Sequence, residues 1–201
     1  MSFDAKNHEN RKTEYEIGGF FLERWSPRAF ADEKLPESEL FAMFEAARFA
    51  PSSSNEQPWR FVYALRGSGV FDSFGEILSE GNWRWARNAA ALLVVCSRET
   101  FARNDKPNST HLFDTGCAWG YFALEAIRRG WVTHAMAGFN REKAKELLEI
   151  PDGFFPVAAV AIGRHGDPAS LPEDLRDREV PAPRRRQSEF VFEGKFGNPP
   201  E

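Results

Sequence analysis

Apolar residues recur in two patterns along this chain, every three to four positions in some stretches and continuously over short runs in others. The first pattern predicts helices and the second buried strands. In "PESELFAMFEAARFAP" Leu40, Phe44 and Ala47 share a face, with Met43 beside them. Pro36 suits the start of this helix, Glu37 and Glu39 suit its electropositive first turn, and Pro51 ends it. Residues 59–65 read as a strand, 71–78 as a short helix, and "LLVVC" at 92–96 as a buried strand. The strongest helix covers 114–129, with Asp114 or Thr115 as its cap and Gly130 closing it. Gly116, Ala118, Gly120, Ala123 and Ala126 make this helix unusually rich in small residues, as a crowded centre or a subunit interface requires. Residues 133–139 form a strand or an extended loop. Residues 140–149 form a helix capped by Asn140, and 157–162 form another buried strand. Helices and strands interleave without a clean βαβ series, so the fold class is α+β with a mainly antiparallel or mixed sheet.

Length and composition narrow the picture. The 201 residues suffice for one domain with a substantial core. We expect a flexible arm over 1–16 and a single domain over 17–201, with an extended C-terminal arm from about residue 180, where "PRRRQSEFVFEGKF" restores alternating aromatics. Nineteen phenylalanines imply a core of large flat side chains or a large interface. A net charge of −4 argues against a generic nucleic-acid surface. No apolar run reaches membrane-spanning length, and the polar N-terminus has no apolar secretion signal. Cys96 and Cys117 form no Cys-x-x-Cys pair. Reduced thiols in a cytoplasmic protein are the expectation, with no metal site.

Chemistry is sparse. There is no Gly-x-Ser-x-Gly elbow, no phosphate-binding glycine loop and no Gly-x-Gly-x-x-Gly, and the four histidines are scattered. Two arginine clusters remain. Arg24, Ser26 and Arg28 alternate in "ERWSPRAF", which in an extended segment points all three to one side. Arg184, Arg185 and Arg186 are consecutive. Arginine's planar fork suits phosphate, although a solvated basic surface accounts for either cluster taken alone. The third feature is "APSSSNEQPWRF", a polar run that ends in Pro-Trp at the start of a strand. If that run is buried, each unpaired polar group costs roughly 1–3 kcal/mol, and a bound ligand is one source of partners.

Taken in order, "RWSPR", "APSSSNEQPWRF" and "PRRRQSEFVFEGKF" resemble the nitroreductase family of flavin enzymes. "FDTGCAWGYFALEAIRRGW" and "HAMAGFNREKAKELLEIPDGFFPVAAVAIG" are similar to that family's central helix and its loop–helix–strand unit, so the resemblance spans roughly residues 20–196. It implies bound FMN, a homodimer, and two active sites built across the subunit interface. Arg24 matches the phosphate ligand and Arg28 the cation at the flavin's pyrimidine edge, where positive charge stabilises the reduced anionic ring. Trp25 and Ser26 lie in the same segment. Pro51, Ser52, Ser53 and Asn55 match the segment that a partner subunit lays against the flavin, and Gln57 fixes that loop or reaches the ring. Asn82 matches a contact to the flavin or its ribityl chain. Ala137 and Gly138 match the loop whose backbone N–H groups face flavin N5; many relatives carry an acid where Ala137 stands. Arg184 and Arg185 match the C-terminal phosphate ligands, and the arm from Ser188 to Phe196 would wrap the other subunit. The implied activity passes hydride from NADH or NADPH through FMN to a nitroaromatic, quinone or similar acceptor, ping-pong, with no catalytic side chain. The alternative is a non-catalytic FMN-binding or interaction protein on the same scaffold.

Overall fold

Strand β2 (Ala91–Arg98) is buried at every residue except its last, as a strand covered on both faces must be. The computed structural model describes residues 11–199. β2 runs antiparallel to β1 (Trp59–Leu65) on one side and to β4 (Phe154–Gly163) on the other. β3 (Val132–Met136) adds antiparallel to the far edge of β4, giving the order β1-β2-β4-β3. Of the two sheet types left open above, the antiparallel one is present. Val94 faces Val62 across one ladder, and Val160 faces both Leu93 and Ala135 across the other two.

Successive side chains on a strand point to opposite faces, so β2 feeds two cores. Leu92, Val94 and Cys96 pack with Phe71, Phe74 and Ile77 of α3 (Phe71–Ile77), Trp85 of α4 (Glu80–Ala86) and Ala144 of α6 (Arg141–Leu147). Leu93 and Val95 pack with Leu40, Met43 and Ala47 of α2 (Glu37–Arg48) and with Ala118, Phe122 and Ala126 of α5 (His111–Arg128). The result is a sheet flanked by helices, α+β as the sequence indicates. The phenylalanines supply the second core's seams: the Phe44 ring lies 5.3 Å from Phe122 and 5.2 Å from Phe61.

Several boundaries move. α5 begins at His111 with Thr110 in the N-cap position, so Asp114, in the first turn, and Thr115, just beyond it, are buried helical residues and not caps. α2 ends at Arg48, three residues before Pro51. Asn140 does cap α6, accepting from Lys143 N at 2.9 Å, and Gly130 takes the positive φ of +78° that closes α5. The short helices α1 (Gly19–Glu23), α4 and α7 (Glu173–Arg176) are absent from the sequence reading; α1 and α7 are too brief to show a period, and the few apolar residues of α4 do not establish a repeat at helical spacing. Of the proposed 1–16 arm, residues 1–10 lie outside the described residues, and Arg11 is packed, with 6 % exposure. The 188–196 segment forms no strand; it holds part of a 3₁₀ turn, Gln187–Glu189, and leaves Phe190 and Phe196 exposed. No described helix is long and apolar enough to cross a membrane, and no group of metal-ligating side chains occurs among the described residues. Cys96 is buried, which pushes its thiol up to about 11, and Cys117 is half-buried.

Candidate active site

The segment after α1 is held by its backbone, which frees its side chains. Arg24 is the C-cap of α1. Ala31 N donates to Arg164 O and Gly166 N to Ala29 O, each at 2.9 Å, so the segment pairs with the chain leaving β4. A Cβ on Gly166 would lie 2.5 Å from the backbone carbon of Phe30, a contact only glycine permits. The buried Glu179 carboxylate accepts from the N–H groups of Arg28 and Ala29 through one oxygen, both at 2.8 Å. His165 Nε2 stands 3.7 Å from that oxygen. From β3, His134 Nδ1–H donates to Pro27 O at 3.0 Å. A carbonyl only accepts, so the proton of this imidazole is fixed on Nδ1.

Held this way, Arg24, Trp25, Ser26 and Arg28 line one cleft of about 330 Å³. The opposite wall is Arg178, Val180, Ala182 and Arg184 from the chain after α7, and Arg11 and His134 complete it. Five arginines therefore meet in one cleft. None makes a salt bridge to a carboxylate among the described residues, whereas Arg66, Arg84, Arg98, Arg128, Arg129 and Arg164 all do. Burial, then the charges of Arg184 and Arg24, pull Arg11 down to about 10. Arg24 is lowered by burial and by Arg184. Arg28 is lowered by burial and Arg178, with Glu179 opposing. Burial also depresses His134, with its Pro27 bond opposing and Arg28 adding to the effect. Cations crowded together without counter-charge are the arrangement an anion relieves.

A second group adjoins this cleft through α4. That helix carries Trp85, whose ring is 4.6 Å from His134 and 6.0 Å from the Arg28 guanidinium carbon. One turn earlier it carries Asn82, whose Nδ2 donates to Gly138 O at 3.0 Å. Ser79 N also donates to Gly138 O, and Phe139 N to Ala137 O, so the turn's carbonyls are spent. Ala137 and Gly138 are exposed, and their N–H groups donate to none of the described residues. They are open donors.

The polar loop stands apart. Ser53 N donates to Asp114 Oδ2 at 3.1 Å, which fastens the loop to the first turn of α5. Gln57 N donates to Ser52 Oγ at 3.0 Å and Gln57 Nε2 to Asn55 O at 3.1 Å. Ser54, Asn55 and Gln57 all have positive φ, between 51° and 57°. Three non-glycine residues in that region imply a loop held in shape by its surroundings. Pro51 and Asn55 are exposed, and Ser52, Ser53 and Gln57 half-buried, so within one chain the polar run is not buried. Trp59 is buried in the second core and anchors the loop's end. Arg185 lines an adjoining groove with Arg184, Arg11 and Gln187 rather than the cleft itself.

Sequence reasoning missed Arg11, His134, Arg178 and Glu179. Arg178 carried a faint signal, since it precedes Arg184 in the same Pro-rich stretch; the others become neighbours only through the fold.

Comparison with known proteins gives this geometry its context. Residues 22–80 and 68–164 match the sequence model of the Nitroreductase family. The chain belongs to the nitroreductase family. A Mycolicibacterium smegmatis protein, named only as an uncharacterized 15.4 kDa protein, is 32 % identical over 149 residues, covering 70 % of this chain and 99 % of that one. An Archaeoglobus fulgidus protein provisionally named NADH dehydrogenase/NAD(P)H nitroreductase is 27 % identical over 77 % of this chain and 84 % of its own. A crystal structure described as an oxidoreductase containing FMN superposes with a TM-score of 0.91 at 44 % identity, covering 98 % of this chain and all of that one. A nitroreductase family protein from Clostridium difficile shares the fold, with a TM-score of 0.68 at 21 % identity over 90 % of this chain and 100 % of its own. The family match spans Arg24–Arg28, the polar loop, Asn82 and Gly138, but Arg11 precedes it and Arg178, Arg184 and Arg185 follow it.

Proposed function

We propose that this nitroreductase family member is an FMN-dependent oxidoreductase that works as a homodimer with two composite sites. One observation carries the reading: the cleft of Arg24, Arg28 and Arg184, which has no carboxylate partner among the described residues and fits a phosphate-bearing ligand. The donor set suits FMN: guanidiniums for the phosphate, the Ser26 hydroxyl beside them, a cation at Arg28, and open N–H groups at Ala137 and Gly138. Bound FMN would supply the hydride-transfer chemistry, with NADH or NADPH as donor and a nitroaromatic, quinone or similar electrophile as acceptor at the same place. The protein's part is to bind, orient and set charge. Arg24 and Arg184 hold the phosphate, with Arg185 in the adjoining groove, Arg28 sets positive potential at the pyrimidine edge, and Asn82 holds the 137–138 turn with its donors open. No side chain acts as nucleophile or general acid.

The position of the polar loop supports the dimer. α5 has 18 residues, a rod of about 27 Å. The loop is fastened at its N-terminal turn, while α1, which leads into Arg24, packs near Tyr121 and Leu124 toward the other end. One chain thus keeps Ser52, Ser53 and Asn55 away from its own Arg24–Arg28. Two copies packed antiparallel along α5 bring each loop to the other's cleft. α5 presents the stripe this needs: Leu112, Phe113 and Tyr121 are exposed, and a Cβ on Gly116 or Gly120 would meet nothing within 4 Å. Ala118 and Ala126 of the same helix pack into the second core, which leaves Gly116 and Gly120 for the proposed interface.

The test is an anaerobic absorption spectrum of the purified protein before and after NADH or NADPH. Flavin bands that bleach establish the reductive half-reaction and name the donor; acceptor turnover then separates an enzyme from an FMN-binding protein. A protein that stays colourless after incubation with FMN overturns the cofactor assignment.

A further inference from the structure

Arg11 has no place in the family match, yet it is the most buried of the arginines around the cleft, with 6 % exposure. Its Nη1 donates to the carbonyls of Leu22 and, at 2.8 Å, Arg24, the carbonyls at the C-terminal end of α1. Those two bonds hold the guanidinium against the backbone of the residue that matches the phosphate ligand. They use one nitrogen of three. Nε is buried with no hydrogen-bond partner, and Nη2 donates to none of the described residues. A guanidinium left unsatisfied in this way costs stability unless something in the cleft completes it. No carboxylate among the described residues pairs with it. Arg24 and Arg184 instead crowd it with like charge, each lowering Arg11's proton affinity after burial has done so.

The charge count singles out the missing partner. Arg11, Arg24 and Arg184 bring three positive charges to one end of the cleft. A phosphate monoester carries about −1.5 to −2 at neutral pH and three acceptor oxygens. The segment bearing Arg11 is tied to the segment bearing Arg184 by a second bond, Glu14 Oε2 accepting from Gln187 N at 2.8 Å. A groove of about 270 Å³ between them is lined by Tyr15, Ile17, Phe21, Arg185 and Phe190. Residues 11–17 therefore lie across the end of the cleft, touching both walls.

We propose that Arg11 is a third arginine of the phosphate site, and that phosphate bound there pins residues 11–17 against α1 and the C-terminal segment. This rests on the FMN reading of the cleft. Arg11 binds the phosphate end and nothing else of the cofactor, so it separates FMN from riboflavin, which lacks the phosphate.

The experiment measures the affinity of the full-length apoprotein for FMN and for riboflavin by flavin fluorescence, in wild type and in Arg11→Met, which keeps the apolar stem. Wild type should prefer FMN, and the substitution should cut that preference about ten-fold or more while leaving riboflavin binding unchanged. An unaltered preference overturns the proposal. So does an equal loss of both flavins, which marks Arg11 as a strut for α1 only. Should the variant fail to fold, hydrogen exchange on wild type decides: amides of residues 11–17 slow with FMN but not with riboflavin if the proposal holds, and respond alike to both if it does not. Wild type that binds neither flavin overturns the cofactor reading itself, a result distinct from the others.

Discussion

At the scale of single residues, Arg28 and His134 belong to one arrangement. The Arg28 backbone is fixed by Glu179 and its guanidinium lies beside Trp85, so the charge is aimed rather than mobile. Removing it should weaken FMN binding by about 10- to 100-fold, the range for one charge-assisted contact, and slow bleaching by NAD(P)H as well. A titration and a stopped-flow trace of Arg28→Ala check both, and unchanged values in the two would remove Arg28 from the site. His134 makes a different prediction because it is held neutral. Its folded-state affinity for a proton is depressed by burial foremost, so between its unfolded value near 6.5 and the lower folded value only the unfolded chain takes up the proton. Stability should therefore fall as pH drops through that window, by at most about 1.4 kcal/mol per pH unit for one group. His134→Gln, which keeps a donor for Pro27 O, should flatten that part of the Tm-against-pH curve. A curve of unaltered slope would show that another group sets it.

At the scale of elements, two buried carboxylates act as fasteners. Asp114 holds the polar loop to α5, and Glu179 holds the arginine segment to the chain after α7. Burial alone would raise the Glu179 pKa, but His165 and the N–H groups of Ala29 and Arg28 outweigh it and leave the group below the usual carboxylate range. Its contribution is thus complete above the unfolded value near 4.3 and lost as pH falls through the folded one. Glu179→Ala leaves two N–H groups without their acceptor and should cost about 1.5–3 kcal/mol at pH 7. In thermal melts the gap between wild type and variant should narrow as pH falls below that range; a gap constant with pH would mean the carboxylate charge is not what fastens the segment. Elements of this kind mark the limit of what the chain reveals when read linearly. β1 and the cores of α2 and α5 were legible because their apolar spacing repeats over several turns or a full strand. α1 was not, since five residues hold little more than one turn, and α4 was not, since its apolar residues Trp83, Trp85 and Ala86 are too few to establish a helical repeat. The start of α5 was misplaced because Asp114 looks like a cap, while its carboxylate is spent on a loop sixty-one residues away. Arg24, Ser26 and Arg28 could be grouped from their alternation. Arg11 and Glu179 meet them only by way of contacts more than ten residues distant in the chain, which no local pattern encodes.

At the scale of the whole molecule, the proposed dimer predicts that the polar loop of one chain serves the cleft of the other. If each site takes Arg28 from one chain and Asn55 from the other, the two substitutions should complement. Arg28→Ala and Asn55→Ala homodimers each carry one defect in both sites, and each should retain FMN poorly. A heterodimer with one substitution on each chain distributes them differently: one site receives both defects and the other receives neither. Co-expressed subunits with distinct tags, purified through both, should therefore bind one FMN per two chains with wild-type affinity and show about half the wild-type NAD(P)H oxidation per dimer. If instead Asn55 serves the cleft of its own chain, every site in the heterodimer keeps one defect and no tight binding returns. Phe113→Glu provides the control. It places a charge on the exposed apolar stripe of α5, 80 % exposed in the single chain, and desolvating that charge should disfavour association without disturbing either core. The variant should elute as a monomer and lose FMN although every cleft arginine is intact, whereas a monomer that still holds FMN tightly would place the whole site within one chain.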